Sequence, residues 1–143
     1  MKITIVTVGS PQLSFAKEGI NEYLKRISRF ADCDLVSIKE NKKTTEKILK
    51  ICEGKKVVLL DEQGKQFSSH GLAIFLEKER NMSSELCFVI GGPNGHVPEV
   101  QSCANARWSL SLLTFPHDIA TMILIETLYR SLSINAGHPY HRD

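Results

Sequence analysis

Five short apolar runs alternate with five segments of helical period along this chain of 143 residues. Residues 2–8 are apolar and β-branched and predict a buried strand. Residues 12–30 carry Leu13, Ala16, Ile20, Tyr23, Leu24, Ile27 and Phe30 at three- and four-residue steps, which predicts a helix. Residues 35–38 read as a second strand. A helix over 45–53, capped by Thr44 or Thr45 and closed by Gly54, follows it. Residues 56–61 read as a third strand, then a helix from Ser68 or Ser69 to about Asn81. Residues 86–90 form a fourth strand stopped by Gly91-Gly92, and Pro98 suits the first turn of a short helix. Residues 108–113 read as a fifth strand, and 117–135 as the longest helix, ending near Gly137. Parallel strands need a crossover between them, so this order predicts one α/β domain over residues 1–143, a mostly parallel five-stranded sheet flanked by helices.

A hydrophobic content of 42% supplies a core, while a net charge of +2 argues against a general polycation. Four cysteines (Cys33, Cys52, Cys87 and Cys103) lie scattered without a C-x-x-C pair, as expected of small buried hydrophobes in a reducing compartment. The first strand is too short for a signal-peptide core, and no apolar run approaches the ~20 residues of a membrane span. The expectation is a cytoplasmic protein without membrane or metal.

Two strand-to-loop junctions carry the turn chemistry. Gly91-Gly92-Pro93-Asn94-Gly95 lets a backbone approach a ligand closely, yet lacks the lysine of a P-loop and the G-x-G-x-x-G spacing of a dinucleotide site. Ser111-Leu112-Leu113-Thr114-Phe115-Pro116 ends the fifth apolar run and could offer backbone groups and a hydrophobic wall to an adenine ring. The helix after it is apolar on more than one stripe, which suggests a subunit contact as well as a core; Glu126 and Arg130 on it have ion-pair spacing. The chain closes on His138-Pro139-Tyr140-His141-Arg142-Asp143, where a histidine can accept a proton and an arginine can hold a phosphate. Lys25, Arg26 and Arg29 form a basic patch or simply a solvated helix face.

Over its whole length the chain resembles the ribosomal large-subunit pseudouridine N3-methyltransferases, the RlmH group of the SPOUT (trefoil-knotted) methyltransferases. The resemblance rests on Met1-Lys2-Ile3, Glu22-Tyr23-Leu24-Lys25-Arg26, Leu59-Leu60-Asp61, Ile90-Gly91-Gly92-Pro93-Asn94-Gly95, Trp108-Ser109-Leu110-Ser111, Leu113-Thr114-Phe115-Pro116-His117, Glu126-Thr127-Leu128-Tyr129-Arg130 and the terminal His138-Pro139-Tyr140-His141-Arg142. The stretch between Ile38 and Lys56 departs by being short.

The resemblance implies a C-terminal trefoil knot, a homodimer, and S-adenosyl-L-methionine held largely by backbone at Leu60, Gly92, Ser111, Leu112, Leu113, Thr114, Phe115 and Pro116. It implies methyl transfer to N3 of a pseudouridine in 23S rRNA within the assembled 70S ribosome. Among the chemistry-bearing residues, Tyr140 could stack on the base, Arg142 could stabilise the anion, and His117, His138 or His141 could take the proton, His141 and Arg142 being placed with Tyr140 at the reacting base. The tail could order only on RNA. Two other classes fit the fold: a non-catalytic ribosome-binding module, which would lack cofactor affinity, and a nucleotide-binding enzyme, which the missing phosphate motifs disfavour.

Overall fold

The computed structural model describes residues 1–142. Its elements are β1 (Lys2–Val8), α1 (Ser14–Ile27), β2 (Asp32–Ile38), α2 (Thr44–Cys52), β3 (Lys56–Lys65), α3 (Ser69–Asn81), β4 (Leu86–Ile90), α4 (Pro98–Cys103), β5 (Ala106–Trp108) and α5 (His117–Asn135). The strands form one sheet in the order β2-β1-β4-β3-β5, with every neighbouring pair parallel.

Period-two alternation divides the strand side chains between two cores. Ile3, Ile5, Val58, Leu86, Phe88 and Trp108 meet Ile20, Ile27, Leu124, Ile125 and Leu128 of α1 and α5, together with Leu72 and Leu76 of α3. Val6, Val57, Leu59, Cys87 and Val89 pack on the opposite face against Ile48 and Cys52 of α2 and Val100 of α4. Both faces are therefore covered, and the central β4 is buried throughout.

Three strands differ from the sequence reading, and α1 is shorter than the expected 12–30, since residues 28–30 form a turn. β2 begins at Asp32, because Cys33 and Leu35 pack on the first core while the alternating Asp32 and Asp34 face out. β3 pairs Leu60 with Trp108, arches away over Asp61–Gly64, and pairs again at Lys65 with the same Trp108. β5 consists of Ala106–Trp108 alone, so residues 109–113 are loop rather than strand. The arch occupies the pairing edge that a longer β5 would need, and Leu112 and Leu113 are left 79% and 69% exposed.

Caps also shift. Ser68 accepts from the Gly71 N–H as expected of an N-cap, whereas α2 has Lys43 at its N-cap position with no side-chain cap bond. The unsatisfied start of α1 is served from a distance: the Asp118 carboxylate accepts from the N–H groups of Gln12 (2.6 Å) and Leu13 (2.7 Å). α5 keeps its hydroxyls dry without cost in unpaired groups, since Thr121, Ser131 and Ser133 donate to carbonyls one turn back.

Candidate cofactor and substrate site

A cavity of about 680 Å³ opens where β3, β4 and β5 end. Carboxyl ends of parallel strands leave unpaired backbone groups and diverging loops, which makes this the usual ligand position in such sheets. Leu60, Ile90, Leu110, Leu113 and Phe115 supply apolar lining; Gly91, Gly92 and Gly95 supply close backbone; Asp61, Glu62 and Gln63 supply polar groups.

The three loops are tied to one another. The His96 ring nitrogen Nε2 lies 2.8 Å from the carbonyl of Leu60, joining the glycine loop to the end of β3. Thr114 donates to Glu62 (2.8 Å), joining the 109–116 loop to the arch. Arg107 reaches Asp61 at 3.4 Å, a partly exposed pair. Within the third loop Ser109 donates to the Ser111 carbonyl, and the Leu113 N–H donates to Ser111 Oγ. Gly95 holds φ +74 and bonds back to Gly92, so a β-carbon there would strain the turn that narrows this wall.

Of the expected cofactor positions, Leu60, Gly92, Ser111, Leu113, Thr114 and Phe115 line the cavity together. Leu112 projects outward, and Pro116 occupies the N-cap of α5 outside the lining. The sequence reading missed the arch residues Asp61–Gln63 and also His96 and Arg107. No local pattern marks them, because the pairing shift between β3 and β5 brings the arch into place.

The tail lies elsewhere. Gly137 adopts φ +70, its N–H bonds to the Ile134 carbonyl, and the His138 N–H bonds to the Ser133 carbonyl. This Schellman turn reverses the chain and lays it back along α5. Tyr140 packs edge-on against Tyr129 (4.6 Å between centroids), and its hydroxyl meets Glu126 (2.9 Å) and Tyr23 (3.1 Å). His141 Nδ1 sits 3.2 Å from Arg130, and its ring stands against His70. Arg142 is exposed. Tyr140 is thereby held by Tyr129, Tyr23 and Glu126 of its own chain. Glu126 lies nine residues into α5, about 14 Å along the axis from the His117 end that borders the cavity.

Burial, with the hydrogen bonds to Tyr23 and Glu126, raises the Tyr140 phenol above its ordinary range. The Glu126 hydrogen bond raises Arg130 in turn. At the cavity edge, burial works against the Asp118 charge, but the N–H groups of Leu13 and Gln12 and the His117 ring outweigh it and hold the carboxyl below its usual value. Among the described residues, no group of three or more His, Cys, Asp or Glu is placed to share a metal ion, and no helix is long and apolar enough to cross a membrane.

A family model described as "Predicted SPOUT methyltransferase" matches residues 1–141. The chain belongs to the SPOUT methyltransferase family. It is 43% identical to the ribosomal RNA large subunit methyltransferase H of Deinococcus radiodurans, over 99% of each chain. It is 39% identical to the protein of the same name from Thermus thermophilus, again over 99% of each. Among solved structures, "a probable methylase family protein" from Haemophilus influenzae superposes with a TM-score of 0.57 at 11% identity, covering 99% of this chain and 70% of that one. That likeness concerns the fold: an all-parallel α/β sheet flanked by helices. For a SPOUT methyltransferase, the cavity at the carboxyl ends of β3, β4 and β5 is the natural place to look for the cofactor.

Proposed function

We propose that this SPOUT methyltransferase transfers a methyl group from S-adenosyl-L-methionine to N3 of a pseudouridine in 23S rRNA, acting as a cytoplasmic homodimer on the assembled ribosome. The carrying observation is the convergence of Leu60, Gly92, Ser111, Leu113, Thr114 and Phe115 on one cavity. Its volume of about 680 Å³ falls within the ~300–1,000 Å³ of small-molecule sites. The lining suits the cofactor: apolar side chains for the adenine, backbone groups for its edge, and the Asp61 and Glu62 carboxylates for ribose hydroxyls or positive charge. When bound, S-adenosyl-L-methionine supplies a methyl carbon made electrophilic by the adjoining sulfonium.

The imide N3–H of the base must lose its proton before the nitrogen can attack. The protein therefore has to provide a proton acceptor, an anion stabiliser and a surface that fixes the ring. Tyr140, with its raised phenol, keeps its proton and suits stacking and hydrogen bonding rather than base catalysis. His141 and Arg142 remain for the proton and the developing charge. Because the tail folds against the middle of α5, the reading assigns each cavity the tail of the partner subunit. It includes the family's C-terminal knot, with the 91–96 and 109–116 loops as its crossing segments.

Methyl transfer from labelled S-adenosyl-L-methionine to ribosomes lacking their own modification tests this. Incorporation at one large-subunit pseudouridine by the full chain, and its loss in a chain ending at Gly137, is expected. Transfer that survives truncation would remove the tail from the chemistry. No transfer to ribosomes, subunits or free RNA by a folded, cofactor-binding protein would end the rRNA reading.

A further inference from the structure

A second concavity lies between the last turns of α1 and the back of α5. It encloses about 470 Å³, and its rim carries Lys25, Arg26, Arg29 and His138 around the ring of Tyr129. The lone carboxylate in its wall, Glu22, is engaged by Arg26 Nε at 2.9 Å. That bond leaves the terminal nitrogens of Arg26 without a partner among the described residues. The guanidinium carbon lies 5.4 Å from the Tyr23 ring and 5.9 Å from the Tyr129 ring, so two aromatic neighbours limit where it can swing. Lys25 and Arg29 are exposed and form no ion pair among the described residues.

Cations at the end of a helix gain from its dipole, which accounts for one or two of these charges. Lys25 lies in the last turn of α1 and Arg29 just past its end, so two cations of like sign crowd one helix terminus. Concave positive charge, three cations against one carboxylate, is what a polyanion needs. The notch is continuous with the tail, since Tyr129 and Tyr23, which flank Arg26, are the same rings that hold Tyr140.

We propose that this notch binds phosphate groups of the RNA backbone beside the target base, with Lys25 and Arg29 as direct contacts and Arg26 as a fixed central cation. The proposal rests on the rRNA reading of the site and adds where the enzyme grips its substrate. Phosphate contacts position a nucleic acid without reading its sequence, so the notch would set register while the cavity and tail act on the base.

The test is the double variant Lys25→Ala/Arg29→Ala, whose side chains are exposed and whose removal leaves Arg26 in place. Steady-state transfer to ribosomal particles is measured across a salt series, beside cofactor affinity by calorimetry and beside anisotropy binding of a uridine 20-mer. Loss of two phosphate contacts should raise KM about tenfold or more with kcat preserved, and should flatten the plot of log affinity for the 20-mer against log salt by about 1.4. Cofactor affinity should stay at the wild-type value, and Lys25→Arg/Arg29→Lys should restore the salt slope. Lys42→Ala/Lys47→Ala, which removes the same charge from another exposed surface, should leave the slope at wild type. Wild-type KM and salt slope in the notch variant would overturn the proposal. Equal flattening by the control pair would reduce the notch to net charge and overturn it as well. Failure of the wild type to methylate any ribosomal substrate would refute the rRNA reading instead, while the 20-mer series still decides whether the notch holds RNA phosphate.

Discussion

Replacing Gly64 by alanine should couple a packing defect to a binding defect. Gly64 closes the arch that leaves β5 and returns to it. A β-carbon there would lie 2.7 Å from the Arg107 carbonyl carbon and from the Trp108 backbone nitrogen and carbon. Ordinary contact begins near 3.4 Å, so arch and strand must part by roughly 0.7 Å. These neighbours are backbone atoms, and no rotamer change relieves them. Trp108 is also locked among Phe67, Phe75 and Phe88, at 4.8, 5.2 and 5.2 Å between centroids. Forcing a methyl into such packing costs about 1–3 kcal/mol, or about 2–12 °C in Tm for a domain of this size. Separation would also loosen the bond from the Ser109 N–H to the Lys65 carbonyl (2.9 Å), which launches the 109–116 loop toward the cavity. Losing the equivalent of one good hydrogen bond weakens cofactor binding about tenfold. Thermal denaturation followed by circular dichroism and calorimetric titration with S-adenosyl-L-methionine read the two effects on one preparation. A variant with unchanged Tm would refute the packing argument; a destabilised variant with unchanged Kd would refute the link from arch to cavity.

Gly92→Ala is the complementary case: its β-carbon would meet only Val8 at 3.8 Å, so the melting temperature should hold while cofactor affinity drops several-fold, as calorimetry would show. The ion pair of Lys56 and Glu79 (2.5 Å) is lopsided, the lysine side chain 31% exposed and the glutamate fully buried with Oε2 unpartnered among the described residues. Lys56→Met should therefore cost about 3 kcal/mol and Glu79→Leu about 1, while the double variant returns to within about 1 kcal/mol of wild type in urea unfolding. Asp118, whose folded-state pKa lies below its ordinary 3.8, adds stability that is fully present above that ordinary value and disappears as pH falls through the depressed one. The gap between the wild type and Asp118→Asn in urea midpoint should thus be widest near pH 7 and shrink as pH falls below 3.8; a gap independent of pH would contradict the assignment. Burial, and secondarily Asp34, pushes the Cys33 thiol up to about 12, so native Cys33 should alkylate at pH 8 on the order of a thousandfold more slowly than an exposed thiol, measured by mass spectrometry of quenched samples.

Much of the sheet was legible because burial on both faces leaves an apolar run that turn residues bracket. β4 spans residues 86–90 and α5 spans 117–135 in the structure as in the sequence reading. The fifth strand was misread because Trp-Ser-Leu-Ser-Leu-Leu satisfies the local pattern of a strand, and a local pattern does not reveal whether a pairing edge is vacant. The arch of β3 takes that edge, and its four residues carry no apolar signature. Cysteines show the same limit: Cys52 and Cys87 are 35 residues apart and meet at 3.9 Å between sulfurs, which spacing alone does not announce.

Of the tail, only its starting point was legible: the sequence ends α5 near Gly137. Asn135-Ala136-Gly137 near a helix end predicts a left-handed stop, and such a stop sends the following residues back over the helix they leave. Tyr140 accordingly meets Tyr129 and Glu126, about two and two and a half turns before the end of α5. A tail reversed by Gly137 cannot also reach the other end of its own 19-residue helix, where the cavity opens. At that end Leu112 and Leu113, which precede α5, and Leu13 and Phe15, at the start of α1 that Asp118 tethers to α5, remain exposed. Four large apolar side chains around one helix start are costly to leave in water, and a second copy that covered them would supply the surface from which a tail could approach the cavity. The proposed dimer and the proposed tail chemistry therefore stand or fall together: a protein that is monomeric at assay concentration yet loses methyl transfer on truncation at Gly137 would break the connection.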